Sequence, residues 1–282
     1  MIKLVLSDVD GTLIPLGKGK VSKYAMDAIA AVKEAGVEFG LATGRDVVEL
    51  NGLFEGDTRA FETGILSNGK KIFVDGKLER LMLLNNEALK RALAVVREYP
   101  NTFMTAYPLN TNESNPIYCM GAPKEEVEAW GRTYSFSAIM ASDVPDEEII
   151  GSTIATNAPE QMLDEMCQRV LEACPEFDIA KPAARWWDIL PKGVNKGTAL
   201  QYLLDDLGIR ADEAVMFGDA DNDLAILRRL ENAVTVAEAT PAAFAASKYH
   251  IGRCEDEAVA DALLDIAQAS REGRMPRFMT KP

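Results

Sequence analysis

The sequence predicts an α/β protein, a doubly wound, Rossmann-like parallel sheet built from both chain ends with an α+β domain inserted. Three observations carry this. Short apolar runs alternate with helical patterns over residues 1–55 and again after 190. A hairpin pattern follows the first stretch. Between residues 85 and 186, helices are instead followed by paired strand-like runs. Alternating strands and helices with short links imply parallel strands and right-handed crossovers. A length of 282 residues suits about two domains.

Leu4 to Ser7 is a short apolar run, fit for a strand buried on both faces. Ser22 can cap a helix in which Met26, Ile29, Ala30 and Val32 recur at helical spacing, closed by Gly36. Val37 to Ala42 reads as a second strand and residues 46–54 as a second helix. Ile72-Phe73-Val74, Asp75-Gly76 and Lys77 to Leu84 form a hairpin pattern with a tight turn. The inserted stretch predicts helices near 86–98 and 159–173. Its strand pairs are Thr102–Tyr107 with Ile117–Met120, and Phe177–Ala180 with Arg185–Leu190. Asp143 to Glu148 reads as a solvated helix start, and Met162 and Met166 as core neighbours. Lys196–Leu207, residues 221–229 and Asp256–Ala269 read as helices, and Ala214–Phe217 as a strand. The basic tail Arg271–Pro282 is expected to fray. The core domain is therefore 1–84 with 187–282, and the insert 85–186. Trp186-Trp187 falls at the return, where hinge packing is expected and sugar stacking is the alternative.

Composition excludes several classes. There are 30 Lys+Arg against 44 Asp+Glu, a net charge of −14, which argues against a nucleic-acid partner. At 48% hydrophobic residues the chain is too apolar for disorder. No apolar run reaches the ~18 residues of a membrane span. Cys119, Cys167, Cys174 and Cys254 form no Cys-x-x-Cys pair, and His250, read as structural, is the only histidine. A histidine-based triad and most zinc sites are thereby excluded. The strand pattern begins at Ile2, leaving no room for a signal peptide, so a reduced, cytoplasmic setting is expected. Asn112-Glu113-Ser114 is a formal glycosylation sequon without meaning there.

Four signals sit at strand ends or helix starts, where open α/β sheets form their sites. Asp8-Val9-Asp10-Gly11-Thr12-Leu13 follows the first strand, so two carboxylates can face one crevice; an Asp-rich turn would look the same. Ala42-Thr43-Gly44-Arg45 offers a hydroxyl and backbone N–H groups to an anion, or is a plain helix start. Arg45 could touch substrate or form an ordinary salt bridge. Gly193-Val194-Asn195-Lys196-Gly197 offers a lysine that could meet a phosphate or face solvent. Gly218-Asp219-Ala220-Asp221-Asn222-Asp223 brings together carboxylates that suit Mg²⁺, or an acidic helix start. Taken together they supply an anionic nucleophile, a hard metal and two phosphate-binding groups, a set suited to phosphoryl transfer through an aspartyl phosphate.

In order and spacing these motifs resemble those of the haloacid dehalogenase superfamily, in particular its Cof-like phosphatases with a type IIB cap. The resemblance spans nearly the whole chain. It departs at Asn68-Gly69-Lys70, at Val236-Ala237-Glu238-Ala239 and near Ala258. It implies Asp8 as nucleophile and Asp10 as general acid and base, held protonated while it acts as acid. Thr43 and Lys196 would hold the phosphoryl oxygens, with Gly44, Arg45 and Asn222 also on the substrate. Asp8, the main-chain carbonyl of Asp10, and Asp219 would bind Mg²⁺, with Asp223 supporting the metal and Lys196. The implied activity is Mg²⁺-dependent hydrolysis of small phosphate monoesters, sugar phosphates or phosphorylated cofactors, by a monomer or homodimer. A phosphomutase using the same aspartyl chemistry is the alternative. A phospho-switch of the receiver kind fits worst, since its aspartate follows the third strand.

Overall fold

The structure, a computed structural model, describes residues 1–109, 117–134, 138–183 and 185–280. The sequon at Asn112 lies outside the described residues. The chain divides into two compact units, Met1–Leu81 with Asn195–Pro282, and Met82–Val194.

The first unit opens with β1 (Leu4–Ser7), α1 (Lys23–Glu34), β2 (Glu38–Ala42), α2 (Val47–Leu53), β3 (Gly64–Leu66), β4 (Lys71–Val74) and β5 (Lys77–Leu81). Local chemistry sets the ends. The Ser22 hydroxyl accepts the Ala25 N–H at 2.9 Å and starts α1. Asp46 and Glu49 form a capping box on α2. Asp75-Gly76 takes positive φ at both positions, which matches the twist of the β4–β5 hairpin.

The second unit contains α3 (Asn86–Val96), β6 (Thr102–Pro108), β7 (Ile117–Met120), α4 (Lys124–Tyr134), β8 (Ala138–Met140), β9 (Ile149–Thr156), α5 (Leu163–Ala173), β10 (Phe177–Ala183) and β11 (Trp186–Pro191). Its sheet runs β10-β11-β9-β6-β7-β8, antiparallel except for β7–β8. Leu89 and Leu93 of α3 and Met166 and Val170 of α5 pack with Met104, Ile154 and Trp187 on one face. Val127 and Trp130 of α4 pack with Phe103, Ala155 and Trp186 on the other.

Three expectations change here. Asp143–Glu148 is not a helix start but the loop that leads into β9. All eight residues of β9 are buried, so it shows no polar alternation to reveal it. Trp187 is not hinge packing, because β11 pairs with both β9 and β10 and buries that ring among α3 and α5. The crossing back to the first unit falls after Val194, beyond β11, rather than at 186/187.

The chain then completes the first unit with α6 (Lys196–Leu207), β12 (Ala214–Gly218), α7 (Leu224–Leu227), β13 (Ala233–Thr235), α8 (Pro241–Ala246), β14 (Tyr249–His250) and α9 (Ala258–Glu272). The helix expected at 221–229 is a 3₁₀ turn, Asp221–Asp223, running into the short α7. The tail does not fray as expected over its described part. Phe278 packs on Phe217 and Tyr249, and Met279 is buried in the core.

The first unit's sheet runs β14-β13-β12-β1-β2-β3-β4-β5, parallel except for the β3–β4–β5 meander. Val5, Phe39, Leu41, Val215 and Phe217 pack with Ile29 and Val32 of α1 and Leu263 and Ile266 of α9. Leu4, Leu6, Ala214 and Met216 point the other way, to Leu200 and Leu203 of α6 and Ile226 of α7. Strand alternation thus feeds two helical layers, and the sheet is doubly wound. From β1 the chain moves outward to β2 on one side and later to β12 on the other, so the switch point lies beside β1.

Ile29→Ala should cost about 2–5 kcal/mol in urea unfolding, because Ile29 is buried between α1 and the sheet. Leu16→Ala, at an exposed loop residue, should change stability by less than about 0.5 kcal/mol in the same measurement.

Candidate active site

Strand register brings the motifs together. Ser7 pairs with Leu41 of β2 and with Phe217 of β12. The next residues, Asp8, Ala42-Thr43 and Gly218-Asp219, therefore leave neighbouring strands at one level. The site lies at the carboxyl ends of β1, β2 and β12, beside the switch point.

Its centre is Lys196, the first residue of α6. The Asn195 side chain accepts the Thr198 N–H at 3.0 Å and fixes the helix start. The Lys196 side chain is 1% exposed, and its Nζ donates to Asp8 Oδ1 and to Asp223 Oδ1, each at 2.7 Å. The other oxygen of Asp223 accepts the N–H groups of Asp219 at 3.1 Å and Ala220 at 3.3 Å. Asp223 thus ties the lysine to the loop that carries Asp219.

Asp8, Asp219 and Asp223 each place one carboxylate oxygen within 4.8 Å of the others. With all three ionised and Lys196 charged, two net negative charges remain. Three oxygen donors with that surplus fit a hard divalent cation such as Mg²⁺. The electrostatics agree. Burial, with Asp223 and Asp219 adding to it and Lys196 opposing, raises Asp8 to about 7. Burial also raises Asp219 to about 6, against the Thr12 hydroxyl. Burial alone would lower the Lys196 ammonium, but Asp223 and Asp8 outweigh it and hold the group above its ordinary value. The site thus holds crowded carboxylates whose ionisation a bound cation would favour.

The remaining predicted residues lie around this centre. Thr43 is buried, and its hydroxyl accepts the Arg45 N–H at 3.2 Å. Gly44 follows it, two residues before the Asp46 cap of α2. Arg45 makes a salt bridge, and its partner is Asp10: Nε to Oδ2 and Nη2 to Oδ1, both 2.7 Å. Both oxygens of Asp10 therefore accept from one guanidinium. The Asp10 carboxylate is not among the three clustered oxygens. Asn222 is exposed on the 3₁₀ turn.

The sequence marks Thr12 only as a member of the first motif, with no role of its own. Its hydroxyl donates to Asp219 Oδ1 at 2.6 Å and links the two acidic loops. Gly11 makes this approach feasible, for at φ +81° its missing Cβ would lie 2.6 Å from Asp219 Oδ2. His250 is exposed, shares a hydrogen bond with Thr235 at 2.9 Å and stacks on Phe244.

The profile of the haloacid dehalogenase-like hydrolases matches residues 5–263. The 5-amino-6-(5-phospho-D-ribitylamino)uracil phosphatase YbjI of Escherichia coli is 24% identical, over 93% of this chain and 95% of that protein. The HMP-PP phosphatase of Cronobacter sakazakii is 25% identical, over 92% and 94%. Among solved structures, the HAD subclass IIB sugar phosphatase BT4131 is 22% identical and superposes over 93% of this chain and 97% of its own, with a TM-score of 0.74. The chain belongs to the haloacid dehalogenase-like hydrolase family and is a hydrolase of its phosphatase kind.

Proposed function

We propose that the protein is a Mg²⁺-dependent phosphatase of small phosphate monoesters, with Asp8 as the nucleophile. The observation that carries this reading is the buried Lys196 ammonium bridging Asp8 and Asp223 while Asp219 stands within cation-sharing distance. The arrangement supplies a carboxylate nucleophile, an ammonium that can meet a phosphoryl oxygen, and carboxylates able to hold the cation that a phosphate dianion requires. The names of the relatives support phosphorylated small molecules, sugar phosphates or phosphorylated cofactors, as substrates.

Asp8, Asp219 and the main-chain carbonyl of Asp10 would hold Mg²⁺, with Asp223 behind them. When bound, the ion supplies Lewis-acid neutralisation of the phosphoryl oxygens, worth several kcal/mol. The side chains do the rest. An Asp8 oxygen bonds to phosphorus as the ester P–O bond breaks, and the leaving oxygen takes a proton from Asp10. Water then attacks the phosphoryl group, giving a proton to Asp10 while the Asp8–phosphorus bond breaks. Inorganic phosphate leaves and both carboxyl groups return to their starting states. Lys196, the Thr43 hydroxyl and the Gly44 N–H orient the phosphoryl oxygens, and Asn222 adds a contact. Because Arg45 holds both oxygens of Asp10, one arm of that fork must open and the freed oxygen take a proton from solvent before Asp10 acts as the acid; the attacking water later restores that proton.

All four cysteines are free thiols, which supports a reducing, cytoplasmic setting. The acid surplus speaks against a nucleic-acid partner. No helix among the described residues is long and apolar enough to cross a membrane.

Asp8→Asn should reduce phosphate release from an aryl phosphate by more than about 10³-fold, with the circular dichroism spectrum unchanged. Thr12→Val should leave the fold intact and raise the Mg²⁺ concentration for half-maximal activity by about 10-fold, because Asp219 loses its orienting donor. The raised Asp8 and Asp219 bind protons more tightly folded than unfolded. Their contribution to stability is full below about pH 4 and is lost as pH rises through about 6 to 7. Mg²⁺ requires the ionised oxygens. The rise in melting temperature on adding Mg²⁺ should therefore be small near pH 5 and large near pH 8, by differential scanning fluorimetry. An equal rise at both pH values would count against metal binding at these carboxylates.

A further inference from the structure

Three consecutive residues after β3 adopt left-handed backbone: Ser67 (φ 51°), Asn68 (φ 57°) and Gly69 (φ 101°). Two of them carry side chains, and side chains resist this conformation. Such a run persists only where its surroundings over-determine it. Here they do, on two sides. The Ser67 N–H donates to the Arg45 carbonyl and the Asn68 N–H to the Thr43 carbonyl, both at 3.0 Å. The Ser67 hydroxyl donates to Asp46, the cap of α2, at 2.9 Å. The Asn68 amide covers Gly44 closely, since a Cβ on Gly44 would lie 3.1 Å from Asn68 Nδ2. On the opposite side Gly69 lies against the start of α6, where its own Cβ would be 2.6 Å from the Asn195 carbonyl oxygen. One strained tripeptide therefore touches both Thr43-Gly44-Arg45 and the residue before Lys196.

We propose that Ser67-Asn68-Gly69 is a bracket that sets the spacing between the two phosphoryl-binding elements, with Asn68 as a positioning residue for bound phosphate. The bracket rests on the phosphatase reading of Thr43, Gly44 and Lys196. Its contacts are to the backbone of those elements, so it acts on phosphate affinity through the placement of Thr43 and Gly44. Asparagine suits the position because it tolerates left-handed backbone and is long enough to cover a glycine.

The test is calorimetric titration of the full-length protein with inorganic phosphate in the presence of Mg²⁺, for three variants. Asn68→Gly relieves the backbone and removes the amide. It should weaken phosphate binding by about 10-fold while the melting temperature stays within ~2 °C or rises. Asn68→Ala removes the amide but keeps the strain, so it should show the same affinity loss with a lower melting temperature. Asn68→Asp keeps the shape and places a negative charge over Gly44. It should weaken binding more than Asn68→Gly, and more steeply at low ionic strength. Wild-type affinity in Asn68→Gly, or an affinity loss that follows melting temperature across the three, would overturn the bracket. Failure of the wild type to bind phosphate would overturn it too. Hydrolysis of an aryl phosphate by the wild type separately tests the phosphatase reading.

Discussion

A lysine ammonium buried as deeply as that of Lys196 would be a severe cost if it stood alone, because removing a charge from water is repaid only by well-placed partners. Its two partners come from opposite ends of the chain: Asp8 follows the first strand and Asp223 the twelfth. Removing both would leave the ammonium buried without a counter-charge. The pairing makes the two chain ends depend on each other electrostatically, beyond their packing in one sheet. It also leaves Asp8 poised, since the group that binds its oxygen is the group that can meet a phosphoryl oxygen.

The rest of the first unit supports that arrangement. Alternation along β1 and β12 buries one set of apolar residues against α1 and α9 and the other against α6 and α7. Both strands are thus fixed from two sides, and their carboxyl ends stay level. Small residues permit the closest approaches. Gly197 is one, for a Cβ there would lie 2.1 Å from the Ala225 carbonyl oxygen, so α6 meets α7 backbone to backbone just behind Lys196. Polar side chains then set finer distances, as Thr12 does for Asp219 and Asn195 does for the first turn of α6.

Much of this was legible in the sequence, and for physical reasons. β1 and α1 are marked by an apolar run and by Ser22, signals that lie within a few residues of the structure they specify. The Asp, Thr and Lys motifs fall at strand ends, where the topology rule places a site. What was not legible depends on distant partners. β9 buries Ser152, Thr153 and Thr156 along with its apolar residues, and only neighbouring strands make that favourable. Trp187 reads as a junction residue until β11 is paired on both sides. The tail reads as loose until Phe278 meets Phe217. Within the site, the four motifs were visible but their pairing was not. Arg45 on Asp10 and Thr12 on Asp219 are contacts between segments whose spacing no local pattern sets.

An aspartyl-phosphate phosphatase requires that phosphorus is bound for a time to a carboxylate oxygen at the end of β1. Acid quenching during turnover of an aryl phosphate with Mg²⁺, followed by mass spectrometry of the peptide containing Asp8, tests it directly. A phosphoryl group on Asp8, formed and lost at rates consistent with turnover, is the predicted result. Steady phosphate release with that peptide unmodified throughout, or with the phosphoryl group on another residue, would contradict the account.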